Sequence, residues 1–237
     1  MLGPYGFELN ESCRTSKLRE ESGFFCQLPT NTLKDLDDVG SLAAYPAGAV
    51  LFLEKQNSRG VYVLCEGQVK LSISSREGKT MILRIAQAGE VLGLMAVLSG
   101  SSYEVTAETL HPCQVVFIYR DEFLHFLTQH PEANQNMIKQ LTAEYQSACE
   151  QLRTIGLSAS IPGRLAKLLL GWSVGGQQTK SGTEFTISMT HEEIAECIGV
   201  TRETVSRTLG QFKIRHLVTL RGSTLTIPSR AALENIC

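Results

Sequence analysis

The sequence predicts an α+β chain in three consecutive parts: a β sandwich or barrel, a long helix, and a helix-turn-helix followed by a hairpin. Three features predict this. The stretch "GVYVLCEGQVKLSISSREGKTMILRIAQAGE" alternates apolar and polar residues between the turn signals EG, REGK and QAGE, and many short strands at such spacing form a closed or layered β domain. Ile138, Leu141, Tyr145, Ala148, Leu152 and Ile155 recur at intervals of three and four residues, the narrow apolar seam of a helix that pairs with another helix. "THEEIAECIGVTRETVSRTLGQF", Thr190 to Phe212, reads as two short helices meeting at a tight turn.

Length and composition bound the rest. The 237 residues, 43% of them hydrophobic, suffice for one or two cored domains. No run approaches the roughly 18 apolar residues of a membrane span, and "MLGPYGFELNES" lacks a charged-then-apolar signal. The expectation is a cytoplasmic protein with no membrane partner. Seven cysteines without a CxxC pair do not make a secreted disulfide framework, so reduced thiols or metal ligands are expected. Between Cys197 and Arg230 six basic side chains (Arg202, Arg207, Lys213, Arg215, Arg221, Arg230) face one acid, Glu203, which gives that segment +5 and leaves −7 for the rest of a chain of net charge −2. A basic end on an acidic protein points to a polyanionic partner.

The elements follow in order. Residues 1–26 form a polar arm carrying Cys13 and Cys26, without a clear period. Residues 27–128 form the β domain, with strands from about Tyr45 to Tyr119 and a helical turn of character from Arg120. Residues 129–157 form the long helix. A helix packed only on its own domain takes a wider apolar stripe than this seam, and that is the alternative to self-pairing. "SASIPGR" then breaks the pattern as a hinge at 158–162, and "RLAKLLLGW" opens a last domain over 158–237.

In that domain Thr190 and Glu193 have the T-x-x-E spacing of a capping box, which starts a helix at His191. Ile194 and Ile198 form its inner face, Ala195 leaves room for a close crossing, and Gly199 can take the left-handed turn. Thr201 caps the second helix, whose inner face is Val205, Leu209 and Phe212. Arg202, Glu203, Ser206 and Arg207 then lie near its N-terminus, where a helix laid in a DNA major groove meets base edges. Arginine donates two parallel hydrogen bonds to guanine, and glutamate accepts from cytosine N4. The alternative is a solvated helix with a Glu203–Arg207 pair worth about 0.2–0.5 kcal/mol. "LVTLRGSTLTIP", two strands around Arg221-Gly222, supplies a wing suited to the phosphate backbone and favours the DNA reading.

"TRETVSRTLGQF" followed by a short wing resembles the DNA-binding domain of the CRP/FNR transcription regulators. "GQVKL", "AGEVLGL", the long helix and "GRLAKLLL" are similar to the same family in order and spacing, from about Leu28 to Pro228. The resemblance implies an N-terminal double-stranded β-helix domain of the cyclic-nucleotide-binding type, a long dimerisation helix and a C-terminal winged helix-turn-helix. It implies a homodimer on palindromic double-stranded DNA, contacts to RNA polymerase, and no enzyme activity. Position by position, Arg202, Glu203 and Arg207 match the base-reading residues of the CRP type, and Ser206 matches a base-contacting serine of the FNR type. Thr190, Thr201 and Arg221 complete the expected DNA-contacting set. The implied half-site combines TGTGA and TTGAT features, with the two half-sites about 34 Å apart.

The resemblance also frames the signal. cAMP-responsive members hold the ribose and cyclic phosphate with a Gly-Glu-Leu stretch and an Arg-Ser pair. Here Gly93 is followed by Leu94, and Tyr103-Glu104 stands where the Arg-Ser pair should be. Cys149 and Glu150 occupy the adenine-facing helix positions. A phosphate buried beside Glu104 without its guanidinium would be an unpaired anion. cAMP is therefore not the expected effector, and Gly93, Leu94, Tyr103, Glu104 and Cys149 are candidates for a pocket serving another one. The FNR type carries a [4Fe–4S] cluster. Cys26 matches the last cysteine of its N-terminal group, Cys113 lies close to its barrel ligand, and Cys13 and Cys65 would complete four thiolates. Twelve residues separate Cys13 from Cys26, so the family's tight spacing is missing.

The alternatives are cysteines acting as small buried hydrophobes, a thiol switch without a cofactor, and a haem held by His111, His125 or His130. The expected signal is thus redox state, oxygen or a small effector. A competing class is a sensor or adaptor module acting by protein–protein contact. An enzyme is not expected, because no Ser/His/Asp arrangement, phosphate loop or paired-histidine metal motif occurs.

Overall fold

Period-two alternation builds two stacked sheets in the first part of the chain. A computed structural model describes residues 24, 27–157 and 160–236. They divide into two compact units, 24–147 without Lys79–Met81, and 148–236 with Lys79–Met81. The first unit runs α1 (Thr30–Val39), β1 (Ser41–Tyr45), β2 (Val50–Phe52), β3 (Gly60–Glu66), β4 (Gln68–Ser74), β5 (Thr80–Gln87), β6 (Val91–Leu92), α2 (Leu94–Ser99), β7 (Thr106–Thr109), β8 (Cys113–Tyr119), α3 (Arg120–Gln129) and the start of α4 (Pro131–Gly156). Its sheets have strand orders β1-β8-β3-β6 and β2-β7-β4-β5.

Alternate residues of β3 serve two cores. Val61, Val63 and Cys65 pack with Leu33, Leu36, Phe123 and Phe126 of α1 and α3. Leu64 faces the other way, into a core with Phe52, Val69, Leu71, Leu92, Tyr103, Cys113 and Val115. The sequence reading placed the first strand near Tyr45 and no helix before it. The structure adds α1, in which only Thr32, Leu33 and Leu36 are buried, too few apolar positions to announce a period.

Helix α4 turns two amides inward beside Ala133, Met137 and Leu141, which pack on the core with α1 and α3. Asn136 and Gln140 are buried, whereas Ile138, Tyr145 and Leu152 are 60%, 72% and 73% exposed. The inward amides are satisfied by backbone. Asn136 Nδ2 donates to the Phe24 carbonyl at 3.0 Å, and Gln140 donates to the Val91 carbonyl at 2.7 Å while accepting from the Val91 N–H at 3.1 Å. One turn on, Glu144 accepts from Gln140 and from Arg84, each at 2.8 Å, and Arg84 also pairs with Glu90. Burial pushes the Glu144 carboxyl above its usual range, opposed by the Arg84 guanidinium.

The second unit holds the end of α4, then α5 (Ile161–Trp172), β9 (Gln177–Thr179), β10 (Gly182–Thr186), α6 (His191–Ile198), α7 (Arg202–Ile214), β11 (Thr219–Arg221), β12 (Thr224–Ile227) and α8 (Arg230–Glu234). The expected wing, β11–β12, extends into a four-stranded sheet of order β11-β12-β10-β9. Of the expected hinge, residues 158 and 159 lie outside the described residues, while Ser160 caps α5 by accepting from the Gly163 N–H at 3.1 Å.

Gly93 is where the backbone leaves least freedom. Its φ is +80°, and an added Cβ would stand 2.7 Å from Tyr103 Cε1. The Tyr103 ring cannot retreat, because it stacks on Phe52 at 4.0 Å and its hydroxyl donates to the Gly60 carbonyl at 2.6 Å. Gly93→Ala is expected to destabilise the protein by about 2 kcal/mol or more, through left-handed strain plus overpacking. Gly48→Ala, at φ +76° with open space around it, should lose only about 1 kcal/mol from strain alone. Urea unfolding of both variants checks the difference.

Candidate nucleic-acid interface and sensor core

Helix α6 starts where the capping box predicts. The Glu193 N–H donates to Thr190 Oγ1 at 3.2 Å, and the Thr190 N–H donates to Glu193 Oε2 at 2.8 Å. Gly199, at φ +66°, ends the helix, and Thr201 caps α7 by accepting from the Thr204 N–H at 3.4 Å. Ile194, Ala195 and Ile198 of α6 and Val205, Leu209 and Phe212 of α7 are buried. Two side chains that the sequence reading passed over fasten the end of α6: Gln151 donates to the Cys197 carbonyl and Arg164 to the Ile198 carbonyl, each at 2.9 Å. Those carbonyls have no partner within their own helix, and no spacing rule links them to residues so far upstream.

The opposite side of α7 is open. Arg202, Glu203, Ser206 and Arg207 are all exposed. Among the described residues Arg202 and Arg207 make no hydrogen bond or ion pair, so the Glu203–Arg207 pair of the solvated-helix alternative does not form. Its own backbone amide and the Thr201 hydroxyl hold the Glu203 carboxyl below its usual range, which keeps it an acceptor. Ser206 Oγ lies 2.8 Å from His191 Nδ1 on α6, a contact the sequence reading missed. Thr190 and Thr201 are exposed caps, and Arg221 is exposed at a wing turn where it pairs with Thr224 across Gly222 at φ +59°. The arrangement presents two unpaired guanidiniums, a carboxylate and a hydroxyl on one convex helix face, the groups that read base edges.

The sensor candidates are placed differently. Leu94 and Tyr103 are buried, Tyr103 at 2% exposure, and Glu104 is exposed. Tyr103 begins a run of aromatic rings, Tyr103–Phe52–Tyr62–Phe117, with centroid separations of 4.0, 5.3 and 4.9 Å. Burial pushes the Tyr62 hydroxyl up to about 12. Leu94 and Tyr103 are therefore packed core, Glu104 stands at the surface, and Cys149 is half-buried in the second unit.

Of the four candidate cluster ligands, Cys65 and Cys113 are among the described residues and lie in different cores. Cys13 and Cys26 lie outside the described residues. Cys65 belongs to the core facing α1 and α3, and Cys113 to the core between the sheets. Neighbouring side chains along a strand point to opposite faces, so these two thiols do not converge. Cys113 donates to the His111 and Gln68 carbonyls at 3.1 and 3.4 Å, and burial raises its pKa. Among the described residues no three His, Cys, Asp or Glu side chains are grouped to hold a metal.

Comparison with known proteins agrees with this architecture. Residues 163–236 match the model of the Crp-like helix-turn-helix domain, and residues 42–130 match that of the cyclic nucleotide-binding domain. The chain belongs to the CRP/FNR family. It is similar to the "CRP-like cAMP-activated global transcriptional regulator" of Mycobacterium tuberculosis, 26% identical over 184 residues that cover 77% of this chain and 82% of that protein. The cAMP-activated global regulator CRP of Pasteurella multocida is 24% identical, over 77% of this chain and 88% of its own length. In fold it is similar to FixK2 from Bradyrhizobium japonicum (TM-score 0.73, 21% identity, 84% of this chain and 97% of that one). It is also similar in fold to the c-di-GMP-responsive global regulator CLP of Xanthomonas campestris (TM-score 0.76, 18% identity, 85% and 100%). This CRP/FNR protein is a DNA-binding transcription regulator. No helix among its described residues is long and apolar enough to cross a membrane.

Arg207→Ala in this regulator should weaken binding to its specific site by about 1–3 kcal/mol and relax discrimination at one base pair. Salt-controlled titrations against specific and scrambled duplexes measure both effects. The Cys197 thiol, pushed up to about 12 by burial, stays protonated at neutral pH. Its alkylation in the folded protein should run more than roughly tenfold slower than in urea, as read by mass spectrometry.

Proposed function

We propose that the protein is a homodimer that sets two copies of α7 into successive major-groove half-sites of a palindrome and answers a signal other than cAMP. The observation that carries this reading is the exposed set Arg202, Glu203, Ser206 and Arg207, its two guanidiniums without an ion pair among the described residues, on a helix whose other side is buried. The supported half-site combines TGTGA and TTGAT features, and a two-fold axis sets the half-sites about 34 Å apart. RNA polymerase is the further partner proposed for it.

Dimer formation is supported by the outer face of α4. Ile138, Tyr145 and Leu152 stand seven residues apart and are largely exposed, with Ala148 exposed beside them and Ile155 half-buried. Leu141 packs partly on the first unit's own core, so its share of the seam is smaller than the spacing implies. Burying such side chains against a second copy contributes about 1.5–3 kcal/mol each. A signal in the first unit then acts by favouring one arrangement of the paired helices and of the 158–162 hinge, which requires unequal affinity for the two states.

The named relatives are cAMP-activated, and one structural neighbour is c-di-GMP-responsive. Against cAMP here stand Leu94 in place of the ribose-binding carboxylate and a buried Tyr103 in place of the phosphate-binding pair. The opposed faces of Cys65 and Cys113 speak against a [4Fe–4S] cluster held by both. Redox or oxygen sensing then rests on Cys13 and Cys26 of the arm, and a small effector other than cAMP is the remaining signal. The relatives' role as regulators supports a non-enzymatic protein.

Sedimentation equilibrium should show a dimer. Ile138→Glu with Leu152→Glu should convert it to a monomer with at least about tenfold weaker affinity for a full palindrome, by loss of the linked second site. Addition of cAMP should leave DNA affinity unchanged. A cAMP-dependent rise, or affinity that is flat with salt where phosphate contacts demand a steep fall, overturns the reading and leaves an adaptor that acts by protein contact.

A further inference from the structure

We infer that His191 is a specificity-determining residue of this regulator, acting through Ser206. The inference rests on the DNA-reading function proposed above. His191 is the first residue of α6 and Ser206 the fifth of α7, and the crossing of the two helices brings Nδ1 to 2.8 Å from Oγ. Ser206 is exposed on the same side of α7 as Arg202, four residues earlier, and Arg207, next in sequence.

A serine hydroxyl carries one donor and two acceptor lone pairs and rotates to suit its partner. Left alone, it serves any base edge and discriminates little. When Ser206 donates to Nδ1 its single proton is used, and only its lone pairs face the groove, where they accept from adenine N6 or cytosine N4. When Nδ1–H donates to Ser206 one lone pair is used, and the hydroxyl keeps its hydrogen and its second lone pair. The selective arrangement is the one in which Nδ1 accepts, and there the selection is made by a residue outside the reading helix.

Two observations separate this role from a structural one. The N-terminus of α6 is already capped by the reciprocal Thr190–Glu193 bonds, so the His191 side chain is not needed as a cap. Among the described residues the Ser206 bond is the one hydrogen bond of the His191 imidazole, so it belongs to no wider network that the fold requires.

The test is a half-site scan. The full-length protein is titrated, at one fixed salt concentration, against duplexes in which each base pair is replaced in turn. Wild type, His191→Ala, His191→Asn, Ser206→Ala and the double variant His191→Ala/Ser206→Ala are compared. Wild type should discriminate by roughly tenfold or more at the base pair that Ser206 meets. His191→Ala should reduce this to about twofold at that position alone, with the other positions and the salt slope unchanged. His191→Asn, whose amide reaches the place of Nδ1, should keep the preference. Ser206→Ala should flatten the same position, and adding His191→Ala to it should change nothing further.

A His191→Ala profile identical to wild type overturns the inference. So does a uniform loss across all duplexes with a shallower salt slope, which makes His191 a phosphate contact. Wild-type protein that shows no sequence preference at any position removes the DNA-reading function itself, a result distinct from both.

Discussion

Helix α4 is fastened to its own domain by amides, and much of the molecule follows from that. Asn136 and Gln140 enter the interior and exchange hydrogen bonds with the backbone of Phe24 and Val91, while Glu144 and Arg84 extend the contact as a partly buried ion pair. A buried amide left unpaired costs about 1–3 kcal/mol, so these contacts fix the helix in one rotation. Hydrocarbon tolerates slippage, whereas directional bonds do not. With its rotation fixed in this way, the apolar residues Ile138, Tyr145 and Leu152 are left outside. The same bonds that hold α4 to the first unit thus expose the stripe proposed to meet a second copy. They also attach at Val91, two residues before Gly93, so the helix is tied to the turn that Tyr103 packs against.

The interior beyond that turn is filled by the chain itself. Tyr103 lies against Gly93, stacks on Phe52 and bonds to Gly60. Ring packing and a buried hydrogen bond occupy the space beside Gly93, and a ligand entering there would have to displace an aromatic core.

The DNA-facing end depends on a different division of labour. Caps, a glycine turn and two long polar side chains, Gln151 and Arg164, satisfy the backbone of α6. The reading face of α7 is thereby relieved of structural duty, and Arg202 and Arg207 stay unpaired and solvated until a groove takes them. An arginine already bonded within its own protein would have to break that bond to meet guanine. Ser206 is engaged by His191, and Glu203 by Thr201 and its own amide.

Much of this was legible in the sequence. Alternation marked the strands, the 3-4 spacing marked the outer stripe of α4, and T-x-x-E with Gly199 marked the helix-turn-helix almost to the residue, because each is a local rule of backbone geometry. The shared exposed face of Arg202, Glu203, Ser206 and Arg207 on α7 was legible for the same reason, since residues four apart share one helix face. What the sequence did not disclose were long-range matters: α1, the β9–β10 hairpin that enlarges the wing, the polar docking of α4, the Tyr103 plug and the His191–Ser206 bond. The cysteines show the limit most plainly. Cys65 and Cys113 looked like partners by type, yet strand pairing sends them to opposite faces of one sheet. Local periodicity decides which way a side chain points from its own element, but only the tertiary fold decides what stands opposite, because that depends on chain segments brought together from far apart.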